Sequence, residues 1–292
     1  MADEEVNPKQ TGLILIGMGP GAVGSMTNEA ISIAKSADYR RYEAYTALWP
    51  EHELDSLEAI IGPIEKVMRP EIENPDEILS LAKHSLVAVL VVGDPLQATT
   101  HVDLQLQAVE QGIECNVIHG ISITNLVTGA IGLSNYKFGR QTTLTYPYSG
   151  WIATSPLEVI ALNRQMGQHT LALLDLDPTG AGTGKQKPMS PADAVISMEL
   201  MIEKVEDNIE DMGVNDNLSK LKKQSLEDII ALESCDVPVV LCCDMGTRQQ
   251  KMIYTNLAKL SELQGGRMNC LVFPASTSDV EEKALLRWLK EE

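Results

Sequence analysis

Aromatic residues are scarce in this chain: phenylalanine, tyrosine and tryptophan together make up 4% of its 292 residues. Surfaces that stack the bases of single-stranded nucleic acid depend on such rings, so no surface of that kind is expected. Positive charge is scarce as well. Lysine and arginine number 23 against 41 acids, a formal net charge of -18, which repels phosphate backbones and acidic membranes. Long apolar runs are missing. The longest, Leu86 to Val92, is far short of the roughly 20 residues that a membrane span needs. The five cysteines (Cys115, Cys235, Cys242, Cys243 and Cys270) show no CxxC spacing, and their odd number argues against a disulfide framework. Cys242 and Cys243, inside "VPVVLCCDM", read as small apolar fillers of a strand. The opening "MADEEVNPKQ" is acidic and polar, unlike a secretory or transit peptide, and a cytoplasmic protein is expected.

Metal-ligand and nucleophile patterns are also lacking. His52, His84, His101, His119 and His169 form no HxxxH or HxH pair, so no metal site is expected and each reads as a hydrogen-bonded structural residue. No GxSxG elbow presents a serine nucleophile.

What is present is an alternation. Short β-prone runs occur at Gly12–Ile16, Val87–Val92, Glu114–Ile118, Thr142–Thr145, Thr170–Leu174, Val237–Cys242 and Cys270–Phe273. Amphipathic stretches lie between them at Asn28–Ser36, Pro75–Lys83, Val102–Glu110, Ser122–Ile131, Pro156–Gln165 and Pro191–Asn208. Gly112 closes the helix from Val102, and Ser190-Pro191 supplies an N-cap and an N1 proline. Strand-then-helix order predicts two α/β domains with mostly parallel sheets, residues 1–119 and 120–292. Asp211–Glu233 is strongly charged and reads as a solvated helix with polar linkers. "DPTGAGTGKQKPMSP" (Asp177–Pro191) is the most flexible-looking stretch, and no internal repeat is found.

Ligands of open α/β sheets bind at the carboxyl ends of the strands. Here those ends lead into Gly17-Met18-Gly19-Pro20-Gly21, Gly93-Asp94-Pro95, His119-Gly120-Ile121-Ser122, Asp175 and Cys243-Asp244-Met245-Gly246-Thr247. Two glycine loops invite nucleotide readings. "GPGAVG" (Gly19–Gly24) fits GxGxxG, with Glu43 near the position of a ribose-binding acid. Yet Pro20 stiffens the turn and helical periodicity begins only at Asn28, whereas a dinucleotide site needs the helix to start at the glycines. "GTGKQ" (Gly182–Gln186) fails the phosphate-loop spacing, with Thr179 and Gln186 at positions that need glycine and a magnesium-binding hydroxyl. It reads as a mobile surface loop.

Several stretches together point elsewhere. "LILIGMGPGAVGSMT", "RRYEAYTALW", "GDPLQATTH", "VIHGISI", "GLSNYKFGRQTTL", "YPYSGWIATSP", "GQHTLALLDL" and "MSPADA" occur in this order. The sequence resembles the diphthine synthases, a family within the tetrapyrrole-methylase-like class of S-adenosylmethionine (SAM) methyltransferases, over about residues 11–205 and 237–290. The resemblance implies a homodimer of two α/β domains with SAM in the inter-domain cleft. The implied substrate is translation elongation factor 2. The amino group of a 3-amino-3-carboxypropyl chain on one of its histidines is methylated to trimethylated diphthine in archaea, and in eukaryotes the carboxylate is esterified as well. Carried over position by position, the implied cofactor contacts are Pro20, Asp94, Gln97, Ser122, Ile123, Leu174, Cys243 and Asn269. Pro20 stands where the family more often has leucine, Cys243 replaces alanine and Asn269 replaces histidine. "GMGPG" is nearer to the tetrapyrrole methylases, while "YKFG" and "HTLALLD" match the diphthine branch.

Methyl transfer is an in-line displacement at carbon, which mainly requires the nucleophilic nitrogen to be held about 3 Å from the methyl. The amine must be unprotonated at each attack. His101, Asp175 and Asp244 are base candidates by location, each with an equally good structural role, and no catalytic residue is assigned. Asp94 pairs with the cofactor or caps its own loop. Thr99 and Thr100 bond the cofactor or cap the following helix, and Gly93 and Pro95 set the turn. The Asp177–Pro191 loop, with Lys185 and Lys187, is a candidate contact for the elongation factor. Rival readings are a tetrapyrrole methyltransferase, an NAD-dependent oxidoreductase resting on Gly19–Gly24, and a ligand-sensing module without turnover.

Overall fold

A computed structural model describes residues 10–289; apart from Gln10, the N-terminal decapeptide lies outside them. The chain divides into two units. The first runs to Ile123 and takes in Ala181–Gly184, and the second comprises Thr124–Gly180 and the residues from Lys185 onward.

In the first unit β1 (Gly12–Gly17) leads through α1 (Asn28–Ser36), β2 (Tyr39–Glu43), α2 (Glu51–Ile61), β3 (Glu65–Val67) and the short α3 (Arg69–Glu73). Then come α4 (Asp76–Ala82), β4 (Leu86–Val91), α5 (His101–Glu110) and β5 (Cys115–Ile118). The strands form one sheet in the order β3-β2-β4-β1-β5, and every pairing is parallel. Because side chains alternate across a strand, β1 serves two cores. Ile14 and Ile16 pack with Ala30, Ala34, Leu54 and Leu57 of α1 and α2. Leu13 and Leu15 pack with Leu79, Leu104 and Ala108 of α4 and α5 on the other face. β1 and β4 are buried at every position, as a sheet covered on both faces requires. Gly112 has φ +71 and ends α5 in the left-handed conformation, which glycine adopts at little cost.

The second unit contains α6 (opening at the boundary, Ile123–Ala130), β6 (Thr142–Leu144), α7 (Ser155–Gln165), β7 (Thr170–Leu174), α8 (Pro191–Asn208) and α9 (Asn217–Ile230). It continues with β8 (Pro238–Cys243), β9 (Lys251–Asn256), α10 (Leu257–Leu260), β10 (Asn269–Phe273) and α11 (Asp279–Leu286). The sheet order is β6-β7-β10-β8-β9. Here the expectation of mostly parallel strands is corrected. Only β6 and β7 run parallel, while β7–β10, β10–β8 and β8–β9 are antiparallel. The cause is local. β8 turns straight into β9 through Asp244–Gln250, where Asp244 has φ +46 and Thr247 N–H bonds the Asp244 carbonyl at 3.1 Å. A connection that short permits only an antiparallel neighbour.

The charged 211–233 stretch is likewise more than a solvated helix. Leu226 and Ile229 of α9 are buried in the second core with Leu157, Ile160 and Val205. Ser190 and Asp193 form the capping box that starts α8, as the Ser-Pro signal predicts.

Candidate active site

The carboxyl ends of β1, β4 and β5 meet at three glycines. A Cβ on Gly17 would lie 2.4 Å from the Gly120 nitrogen, and one on Gly120 would lie 2.2 Å from the Gly93 carbonyl oxygen. No real side chain tolerates such distances, so only bare backbone fits. Just beyond, Gly19 and Gly93 exchange N–H···O bonds of 3.1 and 2.9 Å. The Gly19 carbonyl also accepts the indole N–H of Trp49 at 3.2 Å, with Trp49 buried beneath the loop. These contacts set the "GMGPG" turn as a fixed rim of backbone.

Asp94 follows Gly93 and is only 4% exposed. Its Oδ1 accepts the Leu96 N–H at 2.9 Å. Its Oδ2 lies 2.8 Å from Nδ1 of His119 and accepts the Gly120 N–H at 3.3 Å. One carboxylate thus closes its own turn and ties the ends of β4 and β5 together. The loop continues through exposed Gln97 and through Ala98, held at φ +56. Thr99 Oγ1 donates to the Pro95 carbonyl at 2.7 Å and accepts the His101 N–H at 3.3 Å. Thr100, at the N-cap of α5, makes no side-chain cap bond. Ser122 is buried and Ile123 begins α6. Pro20, Asp94, Gln97, Ser122 and Ile123 therefore all lie at one end of the first sheet, where the sequence reading puts them.

In the second unit Cys243 ends β8 directly opposite Asn269, the first residue of β10. Leu174 ends β7 one position beyond the Leu173–Cys270 pair. The three residues thus share one end of the second sheet. The Asn269 side chain is committed: Oδ1 accepts the Gly266 N–H at 2.8 Å, while Nδ2 donates to the carbonyls of Met189 (3.3 Å) and Gly266 (3.2 Å). Burial pushes the Cys243 thiol pKa up, away from the reactive thiolate.

The base candidates from the sequence are each engaged or enclosed. Asp175 accepts N–H bonds from Tyr146 (3.1 Å), Leu176 (2.7 Å) and Asp177 (3.2 Å), together with the Tyr148 hydroxyl. Asp244 accepts the N–H groups of Met268 (2.9 Å) and Arg267 (3.2 Å). His101 is fully buried, neither ring nitrogen has a hydrogen-bond partner, and burial pushes its pKa down to about 4. His119 is different. Its side chain is 69% exposed and anchored by Nδ1 alone. Sequence reasoning set it aside with the other isolated histidines; the signal available was its place just past the end of β5.

The structure agrees with the case against a dinucleotide site and alters the expectation of a mobile 177–191 loop. Glu43 is fully buried, and its carboxylate is consumed by the N–H groups of Tyr45 (2.8 Å) and Thr46 (2.7 Å) and by the Thr46 hydroxyl. It is therefore not placed to hold a ribose. After the glycines comes a 3-10 turn, Val23–Ser25, and α1 begins only after the Thr27 N-cap, so no helix N-terminus meets the glycine loop as a dinucleotide site requires. The 177–191 loop is pinned: the N–H groups of Lys187 and Met189 bond the carbonyls of Leu176 and Asp175 at 2.8 and 2.9 Å, and Asp177 holds the N–H and hydroxyl of Thr179 at 2.8 and 2.6 Å. The Lys187 ammonium bonds Asp193 at 3.0 Å, so it is not a free cation.

Glycine-lined strand ends at a topological switch point and a second α/β unit define a class, and comparison with known proteins agrees. Residues 12–261 match the family Tetrapyrrole (Corrin/Porphyrin) Methylases, and the chain belongs to it. The chain is 30% identical over 280 residues to a diphthine synthase of Methanocella arvoryzae, covering 94% of this chain and 96% of that one. It is 29% identical over 280 residues to a diphthine synthase of Methanocaldococcus jannaschii, covering 94% and 97%. A crystal structure of diphthine synthase superposes with a TM-score of 0.75 at 25% identity, covering 95% of this chain and 96% of the other. Within its class the chain groups with the diphthine synthases, and it is a SAM-dependent methyltransferase. Among the described residues no helix is long and apolar enough to cross a membrane, and no group of metal-ligating side chains is found.

Proposed function

We propose that this chain methylates the amino group of the 3-amino-3-carboxypropyl chain borne by a histidine of translation elongation factor 2, carrying it to the trimethylated form. The observation that carries the reading is similarity to diphthine synthases along nearly the whole length of both chains. We extend the proposal to a homodimer, as the resemblance implies, working in the cytoplasm, as the acidic and polar opening sequence suggests.

The donor set fits SAM. Gly17 and Gly120 let the backbone ends of β1, β4 and β5 close directly on one another, and Gly93, at φ +77, turns the chain there, so a nucleoside with a charged amino acid tail would meet a rim of backbone groups. In the first unit Pro20, Asp94, Gln97, Ser122 and Ile123 are the proposed contacts. In the second they are Leu174, Cys243 and Asn269, the last through its backbone. SAM supplies a methyl group activated by its sulfonium. The protein would supply position, for which the hydrogen-bonded Gly19–Gly93 rim offers a backbone edge, and a displacement at carbon gains most from such alignment.

Isothermal titration calorimetry separates the readings. SAM is expected to bind in a 1:1 ratio per chain, with no heat from NAD. Binding of NAD without SAM would overturn the proposal in favour of an oxidoreductase.

A further inference from the structure

We propose that His119 takes the proton from the substrate amine before each methyl addition, and that Asp94 positions it for that task. The inference rests on the methyl-transfer reading above and names a catalytic group for it.

The geometry is that of an oriented base. Asp94 is buried at the end of β4, with Oδ2 2.8 Å from His119 Nδ1. A carboxylate only accepts, so Nδ1 carries the hydrogen and Nε2 presents a lone pair. Nε2 lies across the ring from Asp94, and among the described residues nothing bonds it. Among the described residues Asp94 is also the one charged group within ion-pair distance of the ring. The carboxylate is in turn fixed by the N–H groups of Leu96 and Gly120, so the imidazole is held at the same strand ends that carry the glycine rim. His101, Asp175 and Asp244 cannot compete: the first is sealed from solvent, and the other two are filled by backbone donors.

The chemistry needs such a group. An α-amino nitrogen, with an ordinary pKa near 8, arrives mostly as ammonium and has no lone pair to donate. One proton passes from the nitrogen to Nε2, giving imidazolium beside the Asp94 carboxylate. The freed pair on nitrogen then forms the N–C bond while the C–S bond breaks, its electrons remaining on sulfur, which becomes a neutral thioether. The nitrogen regains positive charge and holds one proton fewer than before. The imidazolium, being exposed, releases its proton to water and is ready for the next cycle. When the nitrogen has lost its last proton the cycle stops, at the quaternary amine.

The test uses the full chain with elongation factor 2 carrying the unmethylated side chain. His119→Gln is expected to bind SAM by calorimetry as the wild type does, but to lose about 10²–10⁴-fold in kcat at neutral pH. That loss should narrow as pH rises through the ionisation of the amine. Added imidazole should restore part of the rate of His119→Ala, a response that a purely structural role would not give. Asp94→Asn, whose amide donates to Nδ1 and drives the hydrogen to Nε2, should lower kcat more than it alters KM. Nitrogen NMR of the free protein should show that tautomer switch. A His119→Gln enzyme with wild-type kcat and pH profile would overturn the proposal, as would a rate loss explained wholly by weaker SAM binding. A wild-type chain that transfers no methyl sinks the underlying reading instead, which is a distinct result.

Discussion

At Gly120 the strand ends leave no room for a single carbon, since a Cβ there would sit 2.2 Å from the Gly93 oxygen. Gly120→Ala must therefore part β4 from β5. It is expected to cost about 1–3 kcal/mol, as overpacking does, and to weaken SAM binding. Denaturant titration and calorimetry check the two effects, and an alanine variant with unchanged values on both would contradict the account. His101 gives a second prediction. Burial holds its imidazole neutral, with its pKa down at about 4, whereas an unfolded histidine titrates near 6.5. Below about 6.5 the unfolded chain takes up a proton that the folded one refuses. The contribution of His101 to stability is therefore full above that pH and declines by about 3 kcal/mol on the way down to about 4. Stability measured against pH should fall less steeply over that window in His101→Phe.

Among the elements, α11 shows how the diphthine-branch motifs are used. Glu281 is buried and accepts hydrogen bonds from Lys137 Nζ (2.8 Å), Ser134 N–H (3.0 Å) and Ser278 N–H (2.8 Å), with His169 Nε2 at 3.3 Å. His169 Nδ1 accepts the Ala275 N–H at 3.0 Å, which places the ring hydrogen on Nε2, facing Glu281. The lysine of "YKFG" and the histidine of "GQHTLALLDL" therefore dock α11 and are not catalytic groups. Burial alone would raise the Glu281 pKa, but the bonds from Lys137, Ser278 and Ser134 outweigh it and hold the group well below the usual carboxylate range. Its stabilisation is complete above the ordinary value near 4.3 and is lost as pH falls below that toward the folded value. Glu281→Gln is expected to cost about 3 kcal/mol at neutral pH, measured by urea denaturation, and to flatten the acid limb of the stability profile. A variant as stable as the wild type would refute this docking role.

Elements with a continuous apolar signal, such as β1, β4, β7 and α8, were legible in the sequence because burial on both faces or a capping box dictated their residues. β2 was not. "YRRYE" reads as polar, yet Arg41 is buried with Glu65 and Glu77 as its ion-pair partners. β9, "KMIYTN", is an edge strand with a single buried position, too little for a pattern. The antiparallel β8–β9 pairing depends on turn geometry at Asp244, which composition does not display. The proposed cofactor positions were legible only as strand ends and by resemblance. The Asp94–His119 pairing joins residues 25 apart in sequence, with no spacing that marks them as partners.

On the scale of the whole molecule, a net charge of -18 over two α/β units on separate cores disfavours a polyanionic ligand. The most direct measurement is intact-protein and peptide mass spectrometry of elongation factor 2, bearing the unmethylated 3-amino-3-carboxypropyl histidine, after incubation with this chain and SAM. Successive methyl increments on that one side chain, ending at the quaternary amine, are predicted. An unmodified factor, or methyl groups on any other residue, would contradict the account.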